Sequence, residues 1–146
     1  MTSNTFYNEI LTEHNIRPLH KREIEGANLR LEGVNPSCGD EITVSLRVNA
    51  DNIVEDGAFE GSGCAISQAS ADMMLDLIIG KTKDEALELA DIFLRMIQKQ
   101  ASPEEIEMLE EASILEDVSN MPARVKCAVL GWRTVDEMLK NHQDHK

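Results

Sequence analysis

The chain is short of cysteine and of positive charge, and it has no long apolar run; each shortage removes a class of function. No stretch approaches the roughly 18 apolar residues needed to cross a bilayer. The opening MTSNTFYNEILTEHN has neither the basic lead nor the apolar centre of an export signal. A soluble, cytoplasmic protein is therefore expected. Fourteen basic against 27 acidic residues leave a net charge of −13. That charge repels nucleic-acid phosphates and anionic membranes, so neither is an expected partner, and it favours a partner with a basic face. GxSxG, GxGxxG and P-loop motifs are all missing, which leaves hydrolase and nucleotide-binding readings without support. There are three cysteines and no CxxC pair. In a reducing compartment such cysteines are free thiols or metal ligands more often than disulfides, and an odd count leaves at least one unpaired.

What is present suffices for one core. A length of 146 residues with 42% apolar side chains predicts a single folded domain over 1–146. No repeat, low-complexity tract or linker divides it. Phe6, Tyr7, Ile10 and Leu11 lie at helical spacing in a short helix over Thr5 to His14, and Asn15 to Gly26 is a connecting loop. Asn28 to Val34 alternates, NPSCG turns the chain, and Ile42, Val44, Leu46 and Val48 alternate strictly with Thr43, Ser45 and Arg47. A turn at Ala50–Asp51–Asn52 returns the chain as a third strand, Ile53 to Glu60, in an antiparallel meander. Past Gly61–Ser62–Gly63 the period becomes helical, from Cys64 to Ile79. Thr82 to Glu85 and Ser102 to Glu105 both match the capping box, the second with proline at the first helical position. The stretch this second box opens is acidic, with no basic residue before Arg124, and reads as a solvated face. Pro122 starts a last helix. The sum is α+β, a small three-stranded antiparallel sheet packed by about five helices.

The thiols lie at element ends. A lone cysteine is commonly a small buried hydrophobe, yet none of these sits in the middle of an apolar face. Cys38 is in a tight loop before Gly39, and Asp40 two residues on would share its face in an extended chain; Asp40 alone also reads as a turn residue. Cys64 follows Gly-Ser-Gly at a helix start, where free amides favour a thiolate; a cysteine chosen for size is the plain alternative. Cys127 follows Arg124 and Lys126, which would offset the negative charge of a thiolate-rich site or simply solvate the helix. Thiol and carboxylate ligands in tetrahedral combination suit zinc, and soft sulfur suits iron and iron–sulfur clusters. Ligands drawn from distant parts of the chain, one of them a carboxylate, suggest a site that can exchange ligands. His14, His20, His142 and His145 lie apart from every cysteine in sequence and are expected to be solvated.

NPSCGDEI, EDGAFEGSGCAISQASADMM and PARVKCAVLGW together resemble the three cysteine motifs of the IscU/SufU/NifU-N family of iron–sulfur cluster assembly proteins, over nearly the whole chain. The resemblance implies a SufE/NifU-like fold with the site at one end of the sheet. Within the family the chain looks closest to the SufU branch. Lys126 stands where the IscU branch has histidine, MPARVK replaces LPPVK, and the acidic stretch Ser102 to Asn120 fits an insertion of that branch. The likeness implies zinc held by Cys38, Asp40, Cys64 and Cys127, with iron or a [2Fe–2S] cluster as the alternative occupant. It implies a sulfurtransferase role in which Cys38, the catalytic thiol, accepts persulfide sulfur from a SufS-type cysteine desulfurase and passes it towards downstream iron–sulfur assembly proteins. Arg124 and Lys126 would help dock that partner or compensate charge.

Overall fold

Strict alternation in the second strand decides which face of the sheet is buried. In the computed structural model, which describes residues 3–36 and 39–141 with side chains from Glu9 onward, β2 (Asp40–Val48) is the central strand of three. It pairs antiparallel with β1 (Leu29–Asn35) and β3 (Val54–Ser62) in the order β1-β2-β3, the expected meander. Ile42, Val44 and Leu46 are fully buried on one face, because side chains two apart in a strand share a side. The β2–β3 turn falls at the expected residues. Asn49 Oδ1 accepts from the Asp51 and Ile53 amides at 2.9 and 3.0 Å, and Asn52 takes φ 61°, a conformation asparagine tolerates.

The helices follow their start signals. α1 (Ser3–Ile16) precedes the sheet; α2 (Ala65–Ile78) follows it with Cys64 at the N-cap. Both predicted capping boxes form. Thr82 opens α3 (Lys83–Ile97), its hydroxyl accepting from the Glu85 amide at 3.1 Å while the Glu85 carboxylate accepts from the Thr82 amide at 3.0 Å. Ser102 does the same with Glu105 ahead of α4 (Pro103–Met108). The acidic stretch is not one helix. Glu110 takes φ 53°, which ends α4, and Glu110–Asn120 continues as a 3-10 segment. Its buried residues Ala112, Leu115 and Val118 recur every third position, the period at which a 3-10 turn presents one face. Only its outer residues form a solvated acidic face. α5 (Pro122–Asn141) closes the chain.

α2 and α5 cover the buried face of the sheet and cross closely. A Cβ on Gly131 would already lie 3.3 Å from Ala71 Cβ, so the crossing has room for nothing larger. Beside it the Trp132 ring stacks on Phe93 with centroids 4.1 Å apart. Its indole N–H donates to Ser70 Oγ at 2.9 Å, and that hydroxyl donates to the Ala128 carbonyl at 2.6 Å, satisfying polar atoms inside the core. Ala71 lies seven residues beyond Cys64 and Gly131 four beyond Cys127, so each thiol shares a helix face with the crossing point. The close approach thereby draws the starts of α2 and α5 together. No described helix is long and apolar enough to cross a membrane.

Candidate metal centre

Asp40 opens β2, Cys64 caps α2, and Cys127 lies in the second turn of α5. One donor atom from each comes within 4.8 Å of the other two. Asp40 and Cys127 are each 1% exposed, whereas Cys64 is half-buried. Two of the three donor residues are thus sealed from solvent, and Cys64 is the one partly exposed.

Local geometry explains how β2 and α2 meet here. Asp40 Oδ1 accepts the Cys64 amide at 3.0 Å, satisfying one of the free N–H groups at the start of α2. Gly63 makes the contact possible, since a Cβ there would sit 2.8 Å from Asp40 Oδ1 and 2.5 Å from Ser67 Oγ. Ser67 Oγ donates to the Cys64 carbonyl at 3.0 Å and Gln68 Nε2 to the Gly63 carbonyl at 2.9 Å, which stiffens the turn. Sequence reading passed over Ser67 and Gln68. Their spacing of three and four residues from a cysteine at a helix start was the available signal.

Asp40 Oδ2 is buried and has no hydrogen-bond partner among the described residues. A buried carboxylate oxygen without a donor is costly, and a cation beside it would remove that cost. Two thiols and a carboxylate are also a donor set that zinc and iron accept. The residues present therefore fit a metal ion. Cys38, the remaining ligand expected from sequence, lies outside the described residues. On either side of it the turn is closed by the Gly39 amide donating to the Asn35 carbonyl at 2.9 Å, with Gly39 at φ 74°.

Arg124 and Lys126 are both exposed and flank Cys127 on two sides. Arg124 borders a cleft of about 410 Å³ shared with Leu11 and Ile16 of α1 and Ala65 and Ile66 of α2. Lys126 borders a different groove, with Val34 of β1.

The histidines correct an expectation. His14 and His20 are not solvated, their side chains being 11% and 13% exposed. His14 Nδ1 lies 2.6 Å from Oδ2 of Asp72, a fully buried residue of α2, and Nε2 contacts Glu111 of the 3-10 segment. The other Asp72 oxygen accepts the His20 amide at 2.8 Å. The partners stand 58 and 97 residues away, which is why sequence proximity could not find them. Hydrogen bonding to Asp72, with help from Glu111 and against the effect of burial, raises the His14 pKa to about 9. His142 and His145 lie outside the described residues.

A small meander with helices on one face and a Cys/Asp pocket at the ends of its strands defines a class, and comparison gives the class a name. Residues 6–128 match the family described as NifU-like N terminal domain. The iron-sulfur cluster assembly scaffold protein IscU of Streptococcus pyogenes is 43% identical over 94% of this chain and 84% of its own. The zinc-dependent sulfurtransferase SufU of Bacillus subtilis is 38% identical over 91% of this chain and 88% of its own. A crystal structure from Fervidobacterium islandicum AW-1, of a protein described as an assembly scaffold for the SUF system, superposes with a TM-score of 0.84 at 39% identity, covering 94% of this chain and 99% of that one. The chain belongs to the NifU-like N-terminal domain family, among the IscU and SufU proteins.

Proposed function

We propose that this protein carries sulfur for iron–sulfur cluster assembly, with zinc held by Cys38, Asp40, Cys64 and Cys127 and with Cys38 as the acceptor thiol. The observation that supports this most is the meeting of Asp40, Cys64 and Cys127 within 4.8 Å, from three separate elements, around an oxygen of Asp40 with no donor among the described residues. The zinc-dependent sulfurtransferase among the relatives supports the same reading. Zinc, when bound, supplies the positive charge that keeps the cysteines as thiolates.

The rest falls to the chain. Asp40 and Cys127 are buried, and Cys64 is half-buried. Cys38 is, on this reading, the thiol that leaves the metal and meets a partner. Its thiolate attacks the outer sulfur of a persulfide on a cysteine desulfurase of SufS type. A sulfur–sulfur bond forms to Cys38 as the bond to the enzyme's cysteine breaks, and that cysteine departs as a thiolate. The loaded Cys38 then passes its sulfur to the next assembly protein. The setting is the cytoplasm, and one domain over 1–146 suffices for the task.

The test is desulfurase turnover with and without this protein, alongside metal analysis. One equivalent of zinc and strong stimulation, lost in Cys38→Ala while the fold persists, is the expected result; stimulation by Cys38→Ala equal to that of the parent protein would defeat the proposal. A second reading, a scaffold that builds a [2Fe–2S] cluster on the same ligands, is favoured by the relatives named as scaffolds. Anaerobic reconstitution separates the two, because a scaffold gains a visible cluster chromophore and transfers it to an apoprotein.

A further inference from the structure

Positive charge in this protein is scarce and partly spent. Arg17, Arg22, Arg30, Arg47, Arg95 and Lys140 each sit in an ion pair. Arg124, Lys126 and Arg133 do not, among the described residues, and all three lie exposed within the first twelve residues of α5. Two of them border a groove of about 220 Å³ between the end of β1 and α5, whose floor is apolar: Val34, Val125, Val129 and Leu130. Val34 is 51% exposed, an unusual position for valine on a strand. The same seam continues along β1 into a second groove of about 200 Å³, lined by Leu29, Leu31 and Met138 together with Arg30. Neither lining contains a single carboxylate, although the chain has 27 acidic residues. Asp136, the nearest acidic residue of α5 after Arg133, is held by Lys140 at 2.9 Å.

β1 is moreover an edge strand, with β2 on one side and, among the described residues, no strand on the other. An open edge offers unpaired backbone groups to an extended peptide, and flanking pockets then select its side chains. We propose that the seam between the free edge of β1 and α5 is a docking groove for an extended segment of a partner protein that alternates acidic and apolar residues.

Charge makes the site selective. A surface of net charge −13 repels an acidic segment almost everywhere. Screening over about 8 Å lets local charge dominate at contact, so Lys126 and Arg133 favour the segment at this seam. Val34 and the half-buried Val125 supply apolar surface that a nucleic acid would not use. The seam ends at Asn35 and at Lys126, the residue before Cys127, so a segment seated in it fixes a partner's position relative to the candidate metal centre.

The proposal goes beyond sulfur transfer and is read out by binding alone, so either can fail without the other. Fluorescence anisotropy of the full, zinc-loaded chain with a labelled peptide alternating Asp and Leu should show saturable binding that weakens with salt. A peptide alternating Asp and Ser, or a single-stranded DNA oligonucleotide, should bind at least about tenfold more weakly. Arg133→Glu and Val34→Ser, both at exposed positions where folding is not at stake, should each weaken the Asp/Leu peptide by about fivefold or more. Equal binding of the DNA or the Asp/Ser peptide would reduce the seam to an ion exchanger and overturn the proposal, as would unaltered affinity in both variants.

Discussion

At the scale of single residues, the site is a compromise between protein stability and metal binding. Asp40 gives one oxygen to the Cys64 amide and buries the other with no partner among the described residues. Removing charge there should relieve the metal-free protein and harm the loaded one. Asp40→Asn is expected to leave the thermal midpoint of stripped protein unchanged or higher, while lowering zinc affinity by tenfold or more, measured by competition with a chromophoric chelator. Gly63 is the complementary case. Alanine at that position would press on Asp40 Oδ1 and Ser67 Oγ, so Gly63→Ala should weaken zinc binding by forcing Cys64 away from Asp40. Unchanged affinity in Gly63→Ala would show that the turn relaxes without moving the thiol.

At the scale of elements, two joints hold the site's walls. The first is the crossing of α2 and α5 at Ala71 and Gly131. Gly131→Val should separate the helices at a cost of about 1–3 kcal/mol and carry Cys64 away from Cys127. Chemical denaturation reads the first effect and zinc competition the second. The second joint is His14, which ties α1 to Asp72 of α2 and to Glu111 of the 3-10 segment. Its folded pKa of about 9 stands above the ordinary 6.5, so the protonated form is favoured by folding. The stabilisation is full below about pH 6.5 and disappears as pH rises through 9. It should amount to about 1–2 kcal/mol after screening by solvent. Thermal midpoints of the parent should fall between pH 7 and 10 by more than those of His14→Gln; parallel curves would show that another group carries the dependence.

At the scale of the whole molecule, the apolar core is built from residues other than the candidate metal ligands. Ile42, Val44 and Leu46 of the sheet, Met74 and Leu75 of α2, Phe93 of α3 and Trp132 of α5 are buried at 2% or less, and none of them is a candidate ligand. Burial on that scale folds a domain by itself. Chelation should therefore leave the far-UV circular dichroism almost unchanged and lower the thermal midpoint by several degrees, by mass action on the folded state. Collapse of the helical signal on chelation would mean that the metal is a structural staple, and the sulfur-transfer reading would lose its exchangeable site.

The linear order of residues determined the elements. Strict alternation marked β2, the Thr82 and Ser102 boxes marked where α3 and α4 begin, and the motif around each cysteine pointed to the family; these are local signals, readable within a few residues. Tertiary structure alone decided three things. The acidic stretch broke into α4 and a 3-10 segment because Leu115 and its neighbours reach the core every third residue. His14 became a buried ionic joint because α1 folds back onto a carboxylate far along the chain. Asp40, Cys64 and Cys127 converge because Ala71 and Gly131 let two helices cross almost without a gap. Contacts between distant segments depend on how faces pack in three dimensions, and no window of neighbouring residues contains that information.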